Sequence, residues 1–184
     1  MSFADDLRSH SPGKDSEKRI REEAERTADN IIVQLKGKCN SAAEHGENSF
    51  SGYIRSYFYD DEYYLDFYAD LPTVSQWEER AAKRTAEKYN GGLYAKYPQT
   101  HEYSLFSNYV LTDCVDYINA IRDSLVKKIS MLGFSNYHID VISLDDITIV
   151  EHAQRVIIRG YIRYTISTRA GNKTYYTLKI GVRW

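Results

Sequence analysis

The side chains of this sequence that could carry out chemistry are scattered along the chain. Its five histidines include no HxxxH pair, and two cysteines are too few for a cysteine-rich zinc site. Gly91-Gly92 lacks the GxxxxGK[ST] context in which backbone N–H groups hold phosphates, and it is more typical of a helix end. The sequence therefore predicts a protein that is not an enzyme and that uses no metal or cofactor.

Two other kinds of active site, a nucleophile triad and a carboxylate pair, find little support in the sequence. A GxSxG nucleophile motif is missing, and a triad of distant serine, histidine and acid cannot be recognised from sequence order. Asp145 and Asp146 are adjacent in a predicted strand, so their carboxylates would point to opposite faces and not toward one substrate. We interpret this pair as a solvated kink between two halves of a strand. An enzyme with a dispersed active site remains a third hypothesis.

Basic residues are concentrated at the C-terminal end. Residues 155–184 contain seven basic residues and no Asp or Glu. Strand alternation places most of these cations on one face together with two tyrosines. This face is predicted to bind nucleic-acid phosphates or an acidic protein, unless its cations only protect a solvated sheet edge. The candidate residues are Arg155, Arg159, Tyr161, Arg163, Tyr175, Lys179 and Arg183.

Acidic residues and tyrosines are concentrated in an earlier segment. Residues 44–79 contain nine acidic residues against Arg55 as the one basic residue. Tyrosine combines rigidity with a large amphipathic surface, so a hairpin with an acidic tip is predicted to bind a partner. The alternative is that its tyrosines pack on the helices and its acids pair with the basic C-terminal strands. The candidate residues are Asp60, Asp61, Glu62, Tyr64, Asp66 and Tyr68.

The elements that must position these residues follow from the spacing of apolar side chains. Residues 1–14 are predicted to be a flexible tail and residues 15–184 a single α+β domain. The predicted helices begin at Asp15 or Ser16, near Ser75 with a capping box to Glu78, and at Leu111. Strands are predicted for Ser49–Tyr59, Tyr63–Asp70, and near 137–150, 155–167 and 174–183, with turns at 151–154 and 169–173. Residues 91–107 are predicted to be a loop that allows short extended pieces.

This order, α-ββ-α-α-βββ, predicts a single antiparallel sheet of about five strands packed by three helices on one face. With 184 residues, 42% of them hydrophobic, the chain is long enough for one ordinary core. No apolar run is long enough to span a bilayer, and the first residues have no apolar signal core, so the expected location is cytoplasmic. The net charge of −2 is too small to define a binding partner.

One part of the chain resembles known proteins. The run Ala28-Asp29-Asn30-Ile31-Ile32, with Lys38-Cys39 and the segment Ser49-Phe50-Ser51-Gly52-Tyr53-Ile54, looks like small proteins of bacterial phages and mobile elements. The resemblance covers about the first third of the chain, and no functional residue is carried over from it. That pool includes anti-CRISPR inhibitors, so the resemblance implies a protein that binds a nuclease or its guide-RNA complex inside a bacterial host.

Two functional hypotheses follow. The first is an inhibitor or adaptor that binds a protein or nucleoprotein through the tyrosine-rich hairpin, the basic C-terminal face, or both. The second is a nucleic-acid-binding module that uses the basic face directly, with an affinity that falls steeply as salt rises. Neither hypothesis includes a membrane partner.

Overall fold

The computed structural model describes residues 12–60, 62–90, 99–158 and 161–184. Within these ranges, the side chains of residues 12–15, 58–59, 82, 84–90, 99, 103, 152–158 and 161–165 lie outside the description. The described residues form three helices, α1 (Pro12–Glu44), α2 (Val74–Asn90) and α3 (Val115–Ser130), and five strands, β1 (Ser49–Tyr59), β2 (Glu62–Tyr68), β3 (Gln99–Ser104), β4 (Asn136–Ile158) and β5 (Tyr161–Arg183).

The five described strands form one antiparallel sheet with the order β2-β1-β5-β4-β3. The predicted α+β class, with five strands and three helices, is confirmed. The predicted order of elements lacks one strand, because β3 lies between α2 and α3, in the segment predicted to be a loop that allows short extended pieces. The number of strands nevertheless agrees, because the C-terminal region forms two strands where three were predicted and β3 makes up the difference.

The turns predicted at 151–154 and 169–173 are wrong because both segments continue as strand. The ladder between β3 and β4 places His101 opposite Glu151 and Thr100 opposite His152, so backbone groups are satisfied without a turn. At Gly171 an added Cβ would lie 2.6 Å from the Oδ2 atom of Asp146. Glycine at this position therefore admits the neighbouring carboxylate and does not reverse the chain.

The chain forms two compact units. One contains α1, β1, β2, α3, the start of β4 through Ser143 and the end of β5 from Tyr175. The other contains α2, β3 and the remaining parts of β4 and β5. The single domain predicted for residues 15–184 stays a prediction, because compactness does not determine whether a unit folds on its own. Of the predicted tail, residues 1–11 lie outside the described residues, and 12–14 belong to α1.

The first helix has clear physical boundaries. It begins at Pro12, a residue that suits a first turn because its missing N–H would have no partner inside the helix. It ends before Gly46, whose φ of 82° is the left-handed conformation that glycine adopts without strain. The N–H of Glu47 donates to the carbonyl of Ala42 and that of Gly46 to the carbonyl of Ala43, which caps the last turn. The predicted stop at Gly46 is confirmed, whereas the start lies before the predicted Asp15 or Ser16.

In the other unit, α2 begins with a capping box at a different position from the one predicted. The Gln76 N–H donates to the Thr73 hydroxyl, and the Thr73 N–H donates to the Gln76 side-chain carbonyl. The predicted capping pair of Ser75 and Glu78 is therefore wrong, because Thr73, two residues before Ser75, caps the helix. Glu78 instead accepts a hydrogen bond from the Thr168 hydroxyl at 3.4 Å.

The third helix begins at Val115, four residues after the predicted Leu111. Leu111 is buried outside the helix, and its N–H donates to the carbonyl of Tyr176 in β5. The adjacent Thr112 forms an isolated antiparallel bridge with Tyr176. A segment with helical spacing therefore forms sheet-like hydrogen bonds, because the partner strand satisfies its backbone groups.

The hydrophobic core of the first unit lies between the sheet and the pair α1 and α3. Helix α1 packs against α3 and against β1 and β2. The aliphatic side predicted for the last strand is confirmed, since Leu178, Ile180 and Val182 lie in this core. Fully buried members of the same core are Ala28, Leu35, Ile118, Ile121, Leu125 and Ile129.

Replacing Ile121 by alanine should lower the free energy of unfolding by about 2 to 4 kcal/mol, because a buried side chain is removed and a cavity remains. The matched control is Val126→Ala on the same helix, where the side chain is 38% exposed and the expected loss is below about 0.5 kcal/mol. Urea unfolding followed by circular dichroism measures both. Equal losses in the two variants would contradict this position of the core.

Candidate binding surface

The pairing of β1 with β2 collects tyrosines on one face of the first unit. Tyr53 lies opposite Tyr68, and Tyr57 lies opposite Tyr64. Because side chains alternate along a strand, these four tyrosines lie on the face opposite the buried Ile54. We call Tyr53, Tyr57, Tyr64 and Tyr68, with the intervening Arg55 and Asp66, the tyrosine face.

Arg55 connects the members of this face. Its guanidinium carbon lies 4.8 Å from the ring centre of Tyr57 and 4.0 Å from that of Tyr68. The same group donates hydrogen bonds to the Tyr68 hydroxyl and, at 3.0 Å, to the Oδ2 atom of Asp66. Arginine suits this position because its planar group can contact aromatic rings while it donates at its edge. One cation therefore contacts both rings.

Asp66 is paired with two cations. Lys38 of α1 lies 2.9 Å from its Oδ1 atom, and Arg55 of β1 lies 3.0 Å from its Oδ2 atom. Burial by itself would raise the pKa of Asp66, but the hydrogen bonds from Lys38, the Phe67 N–H and Arg55 outweigh it and lower this pKa. The two cations that pair with Asp66 come from α1 and β1, and not from the basic C-terminal strands that were the predicted alternative. The carboxylate is thus part of the internal structure of the hairpin.

The remaining rings of the tyrosine face also have defined contacts. Tyr57 and Tyr64 are stacked, with ring centres 5.6 Å apart and planes 19° apart. The Tyr64 hydroxyl donates to Glu62 at 2.6 Å, and this bond raises the pKa of Tyr64 because a phenolate beside a carboxylate is disfavoured. Tyr68 packs against Tyr109 with ring centres 4.5 Å apart. Tyr64 stays 38% exposed and is the described ring of this face most available to a partner.

The hairpin tip is a two-residue connection between β1 and β2. Tyr59 lies opposite Glu62, and Asp60 adopts a positive φ of 48°, as tight hairpin turns require. Asp60 and Glu62 are exposed, while Asp61 lies outside the described residues. The predicted position of the turn is therefore confirmed at Asp60.

The predicted basic face is described only in part. Arg159 lies outside the described residues, and so do the side chains of Arg155, Tyr161 and Arg163. Lys179 lies opposite Tyr53, with its Nζ atom 5.1 Å from the ring centre, so the C-terminal strand joins the tyrosine face. Tyr175 is half-buried, and Arg183 is exposed at the end of β5.

The basic face is also interrupted by a buried residue. Thr177 shares strand parity with Lys179 but is fully buried, and its hydroxyl donates to the carbonyl of Ile54 at 2.6 Å. The uniformly solvated face predicted for the last strand is therefore wrong at this position. This buried hydroxyl bonds to β1 at the residue that follows Tyr53, the last β1 residue paired with β5 in the ladder.

Beside Lys179 and Tyr53, the first unit has a shallow depression of about 260 Å³. It lies over β1, β5 and β4, and it is lined by Ser49, Ser51, Asn136, His138, Gly181 and Arg183 together with Phe50, Tyr137 and Val182. The sequence did not lead us to predict this depression. The feature that could have indicated it is a set of small residues, Ser49, Ser51 and Gly181, at positions that share strand parity with Tyr53 on β1 and Lys179 on β5.

Other candidate chemistry is dispersed. Strand β4 includes both Asp145 and Asp146, and the kink predicted at this pair stays a prediction. Asp146 accepts a hydrogen bond from the Ser104 hydroxyl at 3.1 Å, and Asp145 is exposed. Among the described residues, no group of three or more His, Cys, Asp or Glu side chains could hold a metal ion.

Two further results concern membrane-spanning helices and similarity to known proteins. No helix within the described ranges is long and apolar enough to cross a membrane. Comparison with known proteins returns no matching family model, no matching curated protein and no matching solved structure. The resemblance to phage and mobile-element proteins therefore stays a prediction.

Replacing Asp66 by asparagine should make stability less dependent on pH. Because the pKa of Asp66 is lowered in the folded protein, its carboxylate stabilises the fold above the pKa of an unfolded aspartate. This contribution is lost as the pH falls through the lowered value. Urea unfolding at about pH 7 and about pH 3 should show a destabilised Asp66→Asn variant whose difference from wild type shrinks in acid.

The control for this prediction is Asp123→Asn. Asp123 is 64% exposed and is paired with the neighbouring Arg122, so its removal should change stability little at either pH. A deficit of Asp66→Asn that is equal at both pH values would show that the carboxylate charge does not stabilise the hairpin.

Proposed function

We propose that this chain is a non-enzymatic interaction protein, an inhibitor or adaptor that binds a protein or nucleoprotein target through the tyrosine face. The observation that carries the proposal is the set of aromatic rings held in place by Arg55, by the Tyr57–Tyr64 stack and by Tyr109. The resemblance at the N-terminal third extends the proposal to a nuclease with its guide RNA, such as a CRISPR complex, in the bacterial cytoplasm.

Rigid tyrosines support binding for an energetic reason. A side chain that is already fixed loses little conformational freedom when a partner covers it, so more of the contact energy remains as affinity. Tyrosine also offers an apolar ring and a polar hydroxyl in the same residue, which suits a surface that is solvated before binding. On β2, Tyr64 combines a stacked ring with substantial exposure.

The charge of the tyrosine face favours a protein surface over naked nucleic acid as the main contact. Asp66 is held by Lys38 and Arg55, so the positive charge of these two residues is already partly compensated. Glu62 adds another negative charge beside Tyr64. Phosphate binding needs uncompensated cations, whereas aromatic contact with a protein does not.

The test removes the aromatic stack of the half-buried Tyr57 and the exposed Tyr64. Tagged wild-type protein and the double variant Tyr57→Ser/Tyr64→Ser are used to capture partners from a bacterial lysate, with and without nuclease treatment, and a purified nuclease–guide-RNA complex is tested in parallel. We expect the variant to lose at least about tenfold in affinity for the partner, because residues of this type contribute most at interfaces. Its melting temperature should change little.

The matched control truncates two exposed apolar side chains outside the sheet. Val33→Ser/Met131→Ser removes side chains that are 66% and 84% exposed, and it should retain the partner. Equal retention by the tyrosine variant would remove the tyrosine face from the interface. Loss of every protein partner after nuclease treatment, with nucleic acid recovered instead, would favour the direct nucleic-acid-binding module.

A further inference from the structure

We infer that the depression beside the tyrosine face is a phosphate-binding subsite, and that it receives the backbone of a single-stranded nucleic acid exposed on the target. This inference rests on the proposed function and specifies its partner as a nucleoprotein. Five of its lining residues carry side chains that we assign to phosphate binding, Ser49, Ser51, Asn136, His138 and Arg183, and Phe50, Tyr137 and Val182 complete the lining. We call these five residues, with Gly181, the phosphate subsite.

The shape of the subsite depends on Gly181. Ser51 lies opposite Gly181 in the ladder between β1 and β5, and an added Cβ at Gly181 would collide with the ring of His138. Because glycine has no side chain, the imidazole of His138 can lie directly across β5. The exposed serine hydroxyls and the imidazole then border the same shallow volume. Hydroxyl and imidazole N–H groups can both donate to phosphate oxygens.

The end of β5 is anchored, which fixes the origin of the Arg183 side chain. The N–H and the hydroxyl of Ser135 both donate to the Arg183 carbonyl, at 2.8 and 2.9 Å. On the other side, the Trp184 N–H donates to the carbonyl of Asn48 at 3.1 Å. The guanidinium group thus extends from a backbone held on both sides, next to the subsite.

The charge at this end of the sheet differs from that around Asp66. Among the described residues, no acidic side chain forms an ion pair with Lys179 or with Arg183. The nearest acid along β4 on the same strand parity as His138 is the exposed Asp140, two residues away. Two cations without acidic partners, beside hydroxyl donors, are suited to bind an anion.

The spacing of the cations favours a strand of nucleic acid over a single small anion. Lys179 and Arg183 are four residues apart on β5, which is about 13 Å at the rise of an extended strand. Lys179 lies over the Tyr53 ring, and when its flexible side chain turns toward a phosphate it uncovers this ring for an unpaired base to stack on. A duplex encloses the faces of its bases and cannot use such a ring.

The test measures binding of a labelled single-stranded RNA of about 10 nucleotides to the full-length protein by fluorescence anisotropy. We expect binding to weaken with salt, and Lys179→Gln/Arg183→Gln to weaken it at least about tenfold. The same variant should reduce the slope of log affinity against log salt by about 1.4, since each phosphate contact on a single strand contributes about 0.7. Tyr53→Leu should weaken binding without changing this slope.

The matched control, Arg122→Gln/Lys127→Gln, removes the same charge from α3, where Arg122 is half-buried and Lys127 is exposed, and should leave affinity and slope unchanged. Equal weakening by the two double variants would overturn the subsite, because the effect would then follow net charge. A duplex that binds as tightly as the single strand would also overturn it, and so would polyglutamate that competes as well as unlabelled RNA.

The subsite and the proposed function can fail separately. If RNA binding is absent while Tyr57→Ser/Tyr64→Ser still abolishes capture of the target, the subsite is wrong and the tyrosine face remains the interface. If the Lys179→Gln/Arg183→Gln variant loses RNA while the tyrosine variant retains its target, the proposed use of the tyrosine face is wrong. Unchanged circular dichroism of each variant verifies that folding is intact.

Discussion

The register between β1 and β2 is the constraint on which the candidate surface depends. Side chains alternate along each strand, so the pairing that buries Ile54, Leu65 and Phe67 must place Arg55 and Asp66 on the other face. A shift of one strand by one residue would turn the apolar side chains of that strand out of the core and place Arg55 and Asp66 on opposite faces. The core beneath α1 and α3 therefore specifies the tyrosine face, although no residue of that face belongs to the core.

Local pattern was sufficient for much of this unit. The alternation in β1 and β2, the stop at Gly46 and the aliphatic side of Leu178 and Ile180 were all predicted, because each depends on short-range periodicity or on the conformation of glycine. The failures lie where a distant partner decides. Strand β3 and the uninterrupted C-terminal strands are held by cross-strand pairing that no local signal encodes, so turn-like sequence at Gly171 was misread.

The candidate surface was predictable by composition but not by its contacts. The excess of acids and tyrosines in residues 44–79 identified the hairpin, yet it gave no indication that Lys38 of α1 would reach Asp66. Likewise, the basic C-terminal strand was recognised, but Lys179 was not expected to cover Tyr53. Long side chains reach partners that are distant in sequence. Which partner they meet depends on where the helix lies against the sheet, whereas the apolar spacing predicts only which face of the helix is buried.

The distribution of these contacts divides the surface into two chemically different parts. Around Arg55 and Asp66, opposite charges neutralise each other and hold aromatic rings in place, so affinity there must come from ring contact. Around Lys179 and Arg183, neither cation forms an ion pair with an acidic side chain of the described residues, and Arg183 is exposed. A target made of protein and exposed nucleic acid would place protein on the rings around Arg55 and Asp66, and phosphates on Lys179 and Arg183. Protein alone or nucleic acid alone would leave one of these two parts without a complementary contact.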